Sequence, residues 1–170
     1  MLSASRLSAL LVLCAVVPAG CNAGPGSADA ASDPRAEYEA VGQQFGEHVL
    51  KGDWAAAYAM TTGAFQGAVS QARLKAAYDE LLRQIRADDP MFRPNRVETD
   101  FGSLPEDEAE ARTLYDIAVV PPKSTWKAWI ATGIGFGDEQ GIERGIDAWM
   151  LIVDVAGELK IAHVNFEFMD

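Results

Sequence analysis

Few side chains in this sequence can do chemistry, and their types narrow what that chemistry is. Its two cysteines, Cys14 and Cys21, both precede residue 22. Beyond them there is no thiol for a disulfide framework, a cysteine-based metal site or a cysteine nucleophile. The only imidazoles are His48 and His163, too few for a structural zinc site, so no metal and no cofactor is implied. General acid–base work would fall to a strand carboxylate or imidazole, and the candidates are Asp116, Asp147, Asp154 and His163. Asp116 alternates in phase with Leu114 and Ala118, which aims it at an apolar space; His163 shares its face with Asn165. No spacing among the four forces a catalytic pairing. A strand Asp or His is more often solvated or structurally satisfied than catalytic. No catalytic residue is therefore assigned, and Asp116 and His163 are the two to consider if the chain is an enzyme.

The remaining charge pattern is exclusionary. A formal charge of −11 over 170 residues leaves no basic stripe for phosphate backbones, so nucleic acid is not an expected partner. It also disfavours holding an anionic membrane by charge alone. Glu106, Asp107, Glu108 and Glu110 lack the spaced ligands and turn glycine of a calcium loop, and they read as a solvated hairpin turn. His48, near the end of a helical stretch and beside its apolar stripe, reads as a residue facing water and the negative helix end.

The elements that must position these groups fall into a helical half and a strand half. Ser32 or Asp33 caps a helix that has Pro34 in its first turn, with Tyr38, Val41, Phe45 and Val49 forming one stripe. Gly52 ends it, and Asp53 caps a short helix carrying Trp54, Ala57, Tyr58 and Met60. Ser70 caps a third helix, whose stripe is Leu74, Ala77, Tyr78, Leu81, Leu82 and Ile85, stopped at Asp88-Asp89-Pro90. Strands are predicted over 96–102, 112–120, 125–136, 146–155 and 159–168. The last two are joined across Ala156-Gly157-Glu158 and form the centre on which the rest packs. Residues 146–155 are apolar on both faces, as expected of a strand covered on two sides. In 159–168 the core face is predicted to be Ala162, Val164, Phe166 and Phe168. In 125–136 it is Trp126, Ala128, Ile130, Thr132, Ile134 and Phe136. The opposite row, Trp129, Ala131, Gly133 and Gly135, shrinks along the strand. That row implies a bend in a curved sheet or, next, a flat face around Trp129 and Gly133 that takes a second subunit. The expected fold is α+β, with N-terminal helices packed on a curved antiparallel sheet of four to six strands.

Two resemblances add to this reading. Residues 1–21 have Arg6, an apolar run over 10–17 too short to span a bilayer, and then Pro18-Ala19-Gly20-Cys21. Small residues directly before Cys resemble the lipobox of bacterial lipoproteins, although Pro18 stands where that family has an aliphatic residue. The resemblance implies a signal peptide over 1–21, a lipidated Cys21 and attachment to a membrane. With Asn22 rather than Asp following, the implied membrane is the outer one where the cell has one. An ordinary secreted protein, cut near Ala19 or Ala23, is the plainer alternative. Residues 22–33, rich in Gly, Ala, Ser and Asp, read as a flexible tether to a single domain over 34–170.

The second resemblance is carried by Gly52-Asp53-Trp54 after the first helix, Ala56-Ala57-Tyr58 in the next, and Phe65 before Ser70. That opening resembles the nuclear transport factor 2-like superfamily, in which a curved sheet wraps helices into a cone. Its members include ketosteroid isomerase-like and polyketide cyclase-like enzymes as well as non-catalytic binding and dimerisation domains. No catalytic residue of the family is carried over. The leading expectation is a membrane-anchored, non-catalytic domain binding a small hydrophobic ligand or an envelope protein. A small-molecule isomerase or lyase is the alternative, and a structural homodimer is the third.

Overall fold

A computed structural model describes residues 33–113, 116–117 and 119–169. Cys21 and residues 1–32, with the leader and most of the tether expected there, lie outside the described residues. Helix α1, Pro34–Leu50, starts at Asp33, whose carboxylate accepts the Arg35 N–H at 3.0 Å. Asp53 caps α2, Trp54–Ala59, through the Ala56 N–H at 3.1 Å. Between α2 and Ser70 the sequence reading has no further helix. Thr62 in fact caps a further one-turn helix, α3, Gly63–Ala68, before Ser70 caps α4, Gln71–Asp88. Each hydroxyl or carboxylate cap satisfies one of the amide groups that a helix start leaves unpaired.

Four strands follow: β1, Arg96–Gly102; β2, Trp126–Asp138; β3, Gly141–Val155; and β4, Glu158–Phe168. They form one antiparallel sheet in the order β1-β2-β3-β4, and the helices pack on one of its faces. The architecture is therefore α+β, with the number and direction of strands expected. One predicted strand is not found among the described residues. None of the described residues of 112–120 joins the sheet: Glu108–Thr113 is a short helix, α5, and what is described beyond it is irregular. The acidic run expected to be a hairpin turn instead starts this helix, because Asp107 Oδ1 accepts the N–H groups of Ala109 and Glu110, each at 2.8 Å. A capping carboxylate with acids in the first turn suits the positive end of a helix better than a turn between strands.

Helix α1 comes close to the sheet because two small residues face it. A Cβ on Gly42 would lie 2.7 Å from Ile130 Cδ1 and from Thr132 Oγ1; on Gly46 it would lie 2.5 Å from Val97 Cγ1. Under this contact the hydroxyls of Thr99 and Thr132, cross-strand partners, meet at 3.2 Å. Thr132 is fully buried, so that bond removes most of the penalty of enclosing a hydroxyl.

The space between helices and sheet is filled by rings. Phe166 lies 6.5 Å from Phe45, 6.4 Å from Trp54 and 5.5 Å from Tyr78, and Trp54 lies 5.5 Å from Tyr78. Ile130, Ile134, Ile146, Met150, Ile152 and Ile161 supply the floor.

Two β-bulges adjust which side chains reach that floor. The first lies between Trp126 and Ala128, so Trp126 leaves the predicted core face and packs on the opposite side of the sheet. The second makes Ala162 an extra residue, since Ile152 pairs with Ile161 and Leu151 with His163. Ile161, Val164 and Phe166 consequently all face the helices, while Ala162 faces away. Strict alternation, which put Ala162 with Val164, fails at this residue. Phe168, also placed on the core face, is exposed at the strand end, as is Phe136.

Candidate functional site

The sheet face turned away from the long helices is apolar as well, and the chain covers it with its own segment. Trp126, Trp129, Leu151, Val153 and Ala162 form a second core with Ala111 of α5 and Ile117. The cover is tied down by the Trp126 Nε1–H donating to Pro121 O at 3.0 Å and by Lys123 Nζ donating to Glu106 O. Trp129, expected on a flat face that takes a second subunit, is only 4 % exposed within the single chain. Gly133 is covered too, by Met169, Ile142 and Asp147, whose atoms a Cβ there would meet. The flat face read from the shrinking row is thus occupied within a single chain, by Ala111 and Ile117 in the core around Trp129 and by Met169, Ile142 and Asp147 at Gly133.

Within this second core the rings are ordered. Trp149 stacks on Trp129 at 6.0 Å and 15°, and Trp129 on the imidazole of His163 at 6.1 Å and 17°. Along the register Trp129 pairs with Leu151, and Leu151 with His163, so three adjacent strands hold the stack. His163 is 8 % exposed, and its Nε2 is shut from solvent without a hydrogen-bond partner. Burial pushes its pKa from 6.5 down to about 4, opposed by the nearby Asp116 charge. The ring is therefore neutral at neutral pH, and its orphaned nitrogen costs about 1–3 kcal/mol.

The structure brings together two of the candidates from the sequence. His163 and Asp116 both line a cleft of about 260 Å³, between α3 and α4 on one side and β4 on the other. Phe65, Val69, Leu74, Val164 and Phe166 make most of its wall, with Arg73 and Asn165 as further polar groups. Asp116 sits at its edge with an exposed side chain and a left-handed backbone (φ 49°), a conformation that Asp tolerates better than most residues. It is not the desolvated carboxylate that a general base in an apolar pocket would be.

The other candidates are held elsewhere. Asp154 accepts the Gly157 N–H at 2.7 Å in the β3–β4 turn and lies 3.8 Å from Lys127. Asp147 lies beside Gly133. His48 Nδ1 lies 3.9 Å from Asp53 Oδ2. Among the described residues no three His, Cys, Asp or Glu side chains are grouped to hold a metal ion, and no helix is long and apolar enough to cross a membrane.

Sequence reasoning missed Arg73, Val69 and Phe65 as cleft residues, since helix periodicity marks which residues face inward but not where two elements part. Comparison with protein-family models, with curated proteins and with solved structures found no match for this chain.

Proposed function

We propose that the chain is an envelope lipoprotein, anchored through Cys21, whose domain has the nuclear transport factor 2-like cone plan and binds a small, mainly apolar ligand without chemistry. The observation that carries the binding reading is the cleft beside His163: a concave, largely apolar wall with a few polar groups, as ligand sites have. Its volume of about 260 Å³ suits a ligand smaller than drug-sized, since pockets for those run from ~300 to 1,000 Å³. Phe45, Trp54, Tyr78 and Phe166 fill the middle of the space between helices and sheet, where a cone-shaped enzyme would hold its substrate, and leave the cleft at the β4 edge. The anchor reading is supported by the sequence alone, through the small residues before Cys21.

The test is native mass spectrometry of the full chain purified without denaturation, followed by NMR titration with toluene, phenol and indole. A retained small molecule, or saturable shifts at Val69 and Val164 that Ala77→Trp abolishes, is the expected result. No retained molecule and no saturable shift would overturn the binding reading. An isomerase or lyase is a second reading, favoured only by Asp116 and His163 lining one cleft. Turnover of a cleft ligand that His163→Gln stops would establish it.

A further inference from the structure

A second concavity, independent of the His163 cleft, runs against the charge of the whole protein. In a chain of net charge −11, a groove of about 430 Å³ at the end of α1 and along α4 has Lys51, Lys75, Arg86 and Arg93 in its walls against the single carboxylate of Asp79. The two lysines are partly neutralised: Lys51 donates to Glu47 at 2.9 Å, and Lys75 pairs with Asp79 while lying 5.9 Å above the Trp54 ring.

The two arginines are different. Arg86 donates through Nε to Phe92 O at 3.3 Å, and Arg93 through Nη1 to Pro90 O and Phe92 O, at 3.2 and 2.8 Å. Both are thus fixed by backbone carbonyls, which orient a guanidinium without cancelling its charge. The acids nearest in sequence are engaged elsewhere, Asp88 with Arg144 at 3.5 Å and Asp89 with the Met91 N–H at 3.1 Å. Among the described residues neither arginine has a carboxylate partner. The aromatic side chains of Trp54 and Tyr78 also border the groove.

We infer that this groove binds a phosphate monoester group, carried by a small organic molecule or a lipid head, between Arg86 and Arg93. Two planar guanidiniums held by one turn suit the oxygens of a phosphate better than point-like ammonium groups do. A dianion gains more from the surplus of cations than a carboxylate does.

The test uses the full chain carrying Cys21→Ser, so that no lipid anchor confuses it, in calorimetric titrations at low salt. The probes are phenyl phosphate, benzoate, and vesicles of phosphatidylcholine with and without phosphatidic acid. Phenyl phosphate should bind at least about tenfold more tightly than benzoate, with affinity falling as salt rises. Arg93→Gln should weaken it at least about tenfold, and so should Arg86→Lys, which keeps the charge but loses the fork. Arg83→Gln, whose guanidinium pairs with Glu80 outside the groove, should leave it unchanged. Should Arg86→Lys fail to fold, exposed Arg93 alone decides. Binding only to phosphatidic acid vesicles, lost in Arg93→Gln, supports the proposal and identifies a lipid source; binding of phenyl phosphate alone identifies a soluble one. The proposal is overturned if neither probe binds, if benzoate binds as well as phenyl phosphate, or if Arg93→Gln changes nothing.

Discussion

The imidazole of His163 lies 6.1 Å from the indole of Trp129, tilted by 17°, although the two residues belong to strands separated by β3. The contact fixes a neutral histidine in a second hydrophobic core and makes its protonation a structural event. Because the folded pKa is lowered, to about 4 from 6.5, the unfolded chain takes up a proton that the folded one refuses. The contribution is fully present above the unfolded pKa and is lost as pH falls from 6.5 towards 4. At about pH 5 this group alone should cost about 2 kcal/mol relative to neutral pH. Urea unfolding at both pH values measures it, and His163→Gln should flatten that part of the profile. An equal pH dependence in wild type and variant would contradict the buried neutral ring.

Trp129→Ala should destabilise the domain by about 3–5 kcal/mol, the range for removing a large buried aromatic side chain. The loss should be independent of protein concentration, because the ring is covered by Ala111, Ile117 and Val120 of the same chain. Chemical denaturation at two concentrations tenfold apart is the check. A concentration-dependent loss would instead support a subunit interface at this face.

Gly46→Ala should cost about 1–3 kcal/mol, since the added methyl meets Val97 at 2.5 Å and Thr132 Cγ2 at 2.7 Å. Gly67→Ala, in α3 with nothing within 4 Å of the new Cβ, should stabilise by about 0.5–1 kcal/mol. Thermal unfolding of the pair separates steric crowding from helix propensity, and midpoints moving in the same direction would mean that α1 does not lie close to the sheet.

These glycines also show what could be read from sequence alone. The helices over 34–50, 54–59 and 71–88 followed from stripes and caps, and strands over 96–102, 125–136, 146–155 and 159–168 from alternation and turn residues, although β2 runs on to Asp138 and β3 begins five residues earlier, at Gly141. Those signals are local. Gly42 and Gly46 lay beside the predicted stripe of α1 without a signal of their own, because close approach depends on Thr132 and Val97, which are far along the chain. Residues 112–120 alternate well enough for a strand, yet Asp107 starts a helix there and the apolar Ile117 is used to cover the second face of the sheet. Asp116 and His163 could be named from residue type, but their meeting in one cleft depended on that folding back.

Cys21→Ser should move the protein from the membrane fraction to the soluble fraction of exported material. Fractionation followed by detection of the chain is the measurement. Equal solubility of both forms after export would remove the lipid anchor from the proposed function.

The extra residue at Ala162 gives β4 a joint. Before it, Ile161 pairs in phase with the β3–β4 turn; after it, Val164 and Phe166 are in phase with the ring cluster under the helices. A one-residue deletion at 162 would bring Ile161 and His163 together as ordinary neighbours and leave both halves facing as they do now. The same deletion at 160 or 165 would invert one half of the strand and turn its apolar side chains to the wrong face. Position 162 is thus the place where this strand can change length without changing its meaning.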